Sequence, residues 1–167
     1  MTGRKTTAWE IASDAEQVVV LWRLLDRHPE LRAEADQLVL TVLEAVERSD
    51  VADDVSTALE SVSTAVVGAH SGRQRGRGYV EASDAAWELL AAAVDPFVVR
   101  LRQLVDLGLR DAATEAGAGV VLGLSQASGD DGCAIYFEPD FVTEKGAEVL
   151  ADMEELSLDV EGLGTID

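Results

Sequence analysis

Residues 83–124 read SDAAWELLAAAVDPFVVRLRQLVDLGLRDAATEAGAGVVLGL, and they decide the fold class. Trp87, Leu90 and Val94 recur at three- and four-residue steps, which lays one apolar face along an α-helix. Ser83 is placed to cap that helix, with Asp84 in its first turn, where a carboxylate is favoured by the helix dipole. Asp95-Pro96 either kinks the helix or opens a new one with Asp95 as cap. Phe97, Leu101, Leu104 and Val105 continue the apolar face to Gly108. A further helix then covers about Leu109–Leu124, with Ala113, Gly117, Gly119 and Gly123 inside it. Each helical glycine costs about 1 kcal/mol relative to alanine, so several together imply a compensating close approach to a neighbour. The spacing Gly119-Val-Val-Leu-Gly123 is that of a small-xxx-small contact. Its charged flanks point to a soluble core and not to a membrane.

The same periodicity extends outward in both directions. Ser13-Asp14-Ala15-Glu16 has the form of a capping box. The helix it opens contains Val19, Leu21, Trp22, Leu24 and Leu25, and ends near His28, before Pro29. Pro29 opens a second helix in which Leu31, Ala35, Leu38, Val39, Val42, Leu43 and Val46 form an apolar stripe to about Arg48. After a turn at Ser49-Asp50, a third helix is expected over about Val51–Gly68, with Val55, Leu59, Val62 and Val66 on one face. Residues 70–79, HSGRQRGRGY, are expected to form a loop, because their glycines cannot hold a helix. Beyond Leu124, Ala134–Phe137 is expected to be a short extended piece, and Asp140 to cap a last helix to about Met153. The expectation is an all-α fold of five to six helices, either an irregular bundle or a short helical-repeat, solenoid-like array. It places a flexible lead at 1–7, one helical domain at 8–153 and an acidic, mobile tail at 154–167. No repeat of fixed period runs through the chain.

The chain has 167 residues, 47% of them hydrophobic, which is enough for a core and excludes disorder throughout. Aromatics are only 5%, so Leu, Val and Ala must build that core. The formal net charge of -19 repels nucleic-acid backbone and anionic membranes, so neither is expected as a partner, whereas a basic protein is. Lys5 and Lys145 are the only lysines. This bias is compatible with a high-salt cytoplasm or a GC-rich genome. Cys133 is the sole cysteine, which excludes an internal disulfide and a multi-thiolate zinc site and fits a reducing compartment. The first residues lack the apolar core of a signal peptide, and no apolar run is long enough to span a bilayer. The expectation is therefore a cytoplasmic protein.

The strings Gly76-Arg-Gly-Tyr-Val-Glu-Ala-Ser-Asp-Ala-Ala-Trp, Val94-Asp-Pro-Phe97 and Leu107-Gly-Leu-Arg-Asp-Ala-Ala113 resemble uncharacterised bacterial helical proteins. Among these are the helical-repeat regions associated with SWIM zinc-finger proteins. The resemblance covers about half the chain, extending loosely through Gly119–Leu124 and Tyr136–Phe141. It implies an interaction scaffold with no catalytic residues to transfer. The Cys and His ligands of a SWIM finger are missing here, so no zinc site is implied.

Five groups of residues are candidates for chemistry or binding. Arg73, Arg75 and Arg77, with Tyr79 and His70 alongside, form the one basic island, and guanidinium groups suit a small phosphate or carboxylate ligand. The plainer reading is a solvated loop neutralised by the chain's own acids. Glu44 with Glu47, and Glu81 with Asp84, are spaced i, i+3. Two such pairs on facing helices hold Mg²⁺ in MazG-like nucleotide pyrophosphohydrolases, although pairs like these also arise by chance in so acidic a chain. Asp130-Asp131-Gly132 lacks the remaining ligands of a calcium loop and reads as a turn. Cys133 has no nearby His partner and reads as an idle thiol. Trp9, Trp22 and Trp87 are core candidates, with Trp9 the best placed for an exposed anchor. The leading expectation is a non-enzymatic helical protein-interaction module that needs no cofactor. The alternatives are a Mg²⁺-dependent nucleotide phosphohydrolase using the four acids, and a sensor of small anions at Arg73–Arg77.

Overall fold

The structure is a computed structural model that describes residues 7–74, 76, 78–127, 132–161 and 163. It is all-α, with seven helices longer than a single turn among the described residues and one two-stranded ribbon. The chain divides into two compact units, residues 1–42 and 43–167, where one domain over 8–153 is expected from sequence.

The first unit holds α1 (Ala8–Ile11), α2 (Asp14–Arg27), a 3₁₀ turn at Pro29–Leu31 and most of α3 (Arg32–Glu44). The capping box forms as expected: the Glu16 carboxylate accepts from the Ser13 amide at 2.9 Å, and the Ser13 hydroxyl accepts from the Glu16 amide at 3.4 Å. Pro29 starts the 3₁₀ turn, where its missing N–H costs nothing. Neither α2, α3 nor the turn between them contains a buried residue. The apolar stripes legible in the sequence are real, but in this unit they do not form a core. Trp22, a core candidate by its spacing, is 64% exposed, and Trp9 is exposed as expected.

The second unit holds α4 (Arg48–Glu60), α5 (Thr64–His70), β1 (Gly72–Gln74), β2 (Gly78–Val80), α6 (Ala82–Asp106), α7 (Arg110–Gln126), a 3₁₀ turn at Ala134–Phe137 and α8 (Phe141–Glu155). Its core is built from Val55, Leu59, Leu90, Leu101, Leu104, Val120, Leu124, Phe141 and Met153, with small residues between them. The second helix, expected to reach Arg48, ends at Glu44, and Arg48-Ser49-Asp50 form the first turn of α4 instead of a turn between helices. The break at 45–47 lets Leu43, Val46 and Val51 all pack against the core, which one straight helix would splay apart. The third expected helix is split. Ser63 leaves helical geometry to cap α5, and the Ala134 amide donates to the Val62 carbonyl at 2.8 Å across the gap. This split accounts for the helix beyond the expected five or six.

Helix α7 packs on α4, α6 and α8 in turn. Its glycines make those contacts possible. A Cβ on Gly119 would lie 2.6 Å from Val51 Cβ and 2.7 Å from the Arg48 carbonyl oxygen, and one on Gly123 would lie 2.6 Å from the Ala52 carbonyl oxygen. Arg48 reinforces the same seam with two hydrogen bonds to Glu115, at 3.1 and 3.2 Å. Pro96 lies inside the single helix α6, so it opens no new helix. That helix begins one residue after Glu81, which takes the cap position expected of Ser83. At its far end Gly108, with φ 79°, closes a Schellman turn in which the Leu109 amide donates to the Leu104 carbonyl. Ala134–Phe137 is a 3₁₀ turn and not an extended piece, with a single bridge pairing Cys133 to Ser63. The segment after Glu154 is partly tied down. Leu158 is buried, Val160 and Leu163 pack against the core, and Arg110 donates to the Leu156 and Ser157 carbonyls.

Candidate functional site

The expected glycine loop is a β-ribbon. Gly72, Gly76 and Gly78 all have positive φ, a conformation open to glycine without a Cβ penalty, and they let the chain reverse so that Arg73 pairs with Tyr79. Residues directly opposite on an antiparallel ribbon share a face, so Arg73 and Tyr79 lie on one face of the ribbon. Arg75 and Arg77 lie outside the described residues. His70 is turned back on its own helix, with Nδ1 donating to the Val66 carbonyl at 2.9 Å.

The ribbon places Tyr79 and Val80 beside the first turns of α6, where Asp84, Trp87 and Glu88 line an open recess of about 360 Å³ with them. Trp87 is half-buried and meets Phe141 edge to face, with ring centroids 5.0 Å apart. That contact ties the indole to the core beneath the recess that Trp87 lines. Tyr79 is 71% exposed. The site therefore brings two aromatic residues and the Asp84 carboxylate to one open hollow. Such a lining favours a cationic group by charge and by the ring quadrupoles. It disfavours an anion except where Arg73 reaches it.

The four acids are not brought together. Glu44 is the last residue of α3, and Glu47 is the extended cap residue of α4, so the two do not share a helix face. Glu44 borders a hollow of about 410 Å³ at the α6–α7 turn with Gly108–Ala112, while Asp84 lines the ribbon recess. Glu81 is likewise an extended cap residue. Among the described residues no group of three or more His, Cys, Asp or Glu side chains is placed to hold a metal ion. Asp130 and Asp131 lie outside the described residues, and the Gly132 carbonyl accepts from the Thr64 amide. Cys133 is buried, its thiol directed at the Leu59 carbonyl at 3.5 Å.

Sequence reasoning missed Lys145. Its side chain is only 7% exposed, and its ammonium lies 3.1 Å from both Glu148 carboxylate oxygens and 3.4 Å from Asp95. The rarity of lysine in this chain is the one signal that singles it out. The contact joins α8 to α6, so its role is architectural.

No described helix is long and apolar enough to cross a membrane. Comparison with known proteins finds no family model, no curated protein and no solved structure that matches this chain.

Proposed function

We propose that this protein is a non-enzymatic interaction module of the cytoplasm, an irregular helical bundle whose acidic second unit docks a basic protein segment. The observation that supports this reading is the recess lined by Tyr79, Trp87 and Asp84, which sets two aromatic residues beside a carboxylate in an open hollow. An arginine or lysine of a partner fits that lining: its charge faces Asp84 and its stem lies along the rings. The surrounding charge helps. Residues 1–42 hold seven acids and five basic groups, a net of −2, which leaves −17 of the chain's -19 on residues 43–167. A field of that size steers basic partners toward the second unit. The relationship to SWIM-associated bacterial helical proteins is part of the same proposal and rests on the Gly76–Ala113 strings alone.

Titration calorimetry of the full chain with an arginine-rich peptide tests it. Binding is expected at low salt, weakening as salt rises, and falling about tenfold or more in Tyr79→Ala or Asp84→Asn. Absence of binding at low salt overturns the reading. A small-anion sensor at Arg73 remains the second reading, because Arg73 stands beside Tyr79. It requires a phosphorylated metabolite to raise the melting temperature and Arg73→Ala to abolish that shift.

A further inference from the structure

The first unit, termed the arm only for its place at the start of the sequence, has no core of its own. Residues 1–42 form a compact unit by themselves, yet their helices contain no buried residue. Val18, Leu21 and Trp22 on α2, and Leu38, Val39 and Val42 on α3, are between 48% and 72% exposed. A unit of about 40 residues rarely holds together without a metal, a disulfide or a partner chain. No cysteine lies in this one. We propose that the arm pairs with the same arm of a second copy of this chain, forming a symmetric helical bundle that makes the protein a dimer.

Three observations select a second copy over other occupants. The first is charge. The arm is close to neutral and interleaves both signs, with Arg23, Arg27 and Arg32 among Asp26, Glu30 and Glu34. An isologous pairing brings the same surface against itself, so it tolerates a balanced surface and not a one-signed one. The rest of the chain, at −17, repels its own kind, which confines self-association to the arm. The second is area. Eleven large apolar side chains before Leu43 are exposed, and the six named above, at roughly 70 Å² each, supply about half of the roughly 800 Å² per partner of a standard interface, the usual apolar share of such a surface. The third is pattern. Val18, Leu21 and Trp22 on α2, and Leu38, Val39 and Val42 on α3, recur at three- and four-residue steps, the spacing by which helices pack on helices, although Val19 and Val20 are exposed on α2 as well. A basic partner would gain nothing from a near-neutral arm. An anionic membrane favours a lysine- and arginine-rich face, which α2 and α3 do not have. This inference is independent of the acidic recess and stands or falls separately from it.

Sedimentation equilibrium of the full chain, from low to high micromolar, is the test. The expected result is a reversible rise toward twice the 17.8 kDa of one chain, undiminished or strengthened by added salt, which screens the repulsion between the two acidic second units. Leu21→Asp combined with Leu38→Asp is expected to hold the chain monomeric while leaving the cooperative melt of the second unit in place. Hydrogen exchange on the unaltered protein reads the same interface without a variant: amides of 14–27 and 32–42 slow as concentration rises. A mass of one chain throughout the range, with no such slowing, overturns the proposal. So does a dimer that survives the double substitution.

Discussion

Gly119 and Gly123 show how much depends on single atoms. At both positions the first thing an added Cβ meets includes a backbone carbonyl of α4, at 2.7 and 2.6 Å, and a backbone cannot step aside as a side chain can. Gly119→Ala is therefore expected to cost about 1–3 kcal/mol through forced separation of α4 and α7, despite the better helix propensity of alanine. Urea denaturation measures it, and an unchanged midpoint would refute the close-contact account. Ser157 is the opposite case. It has φ 55° at the end of α8, where its amide and that of Leu158 close a Schellman turn. Ser157→Gly is expected to stabilise the second unit by about 0.5–1 kcal/mol, since glycine adopts that conformation without a Cβ penalty. The glycine contact was legible in the sequence, because repeated glycines inside a strong helix need a reason. The strain at Ser157 was not, since nothing local marks a serine that must turn left-handed. Nor was the burial of Lys145, which depends on Asp95, fifty positions away.

At the scale of elements, α2 offers a pH-dependent expectation. The Glu16 carboxyl is held below its usual range by its hydrogen bonds to the Ser13 amide and hydroxyl. A folded-state value below the unfolded one stabilises above the unfolded value, near 4.3, and the contribution is lost as pH falls through the lower folded value. The arm's helicity, read by circular dichroism, is expected to drop on acidification through that window. The drop should be smaller in Glu16→Gln, which is already without the charge. The existence of α2, α6, α7 and α8 could be read from periodicity and caps alone. The split between α4 and α5 could not. The apolar pattern runs on through Val62, and the break is imposed from outside by Gly132 and Ala134, whose backbone groups bond to Thr64 and Val62. The ribbon at 72–80 was hidden for a related reason: two strands of three residues are too short to show an alternation.

For the molecule as a whole, the division into a coreless arm and a cored unit governs behaviour. At low micromolar concentration, limited proteolysis is expected to cut before Leu43 first and to leave the second unit as the resistant product, because local opening follows burial. The charge of the second unit sets a further expectation. Self-repulsion among so many acids is screened by salt, so the melting temperature of the core should rise with ionic strength, and a flat response would count against it. The acidic excess and the all-α class were legible from composition. The separation of one chain into two bodies was not, because apolar stripes of similar strength run through both, and only the packing shows which of them find partners.

The seam between α4 and α7 also fixes an order of events when the chain is made. Arg48 and Glu115 meet across 67 positions of sequence. At roughly 5–20 residues per second, α7 leaves the ribosome roughly 3–13 s after α4. Throughout that interval the surface of α4 that will receive the glycines of α7 is uncovered, as is the apolar arm ahead of it. The nascent protein thus exposes its stickiest surfaces first and the element that closes its core late, which makes the early chain a natural client for chaperones that shield apolar helices.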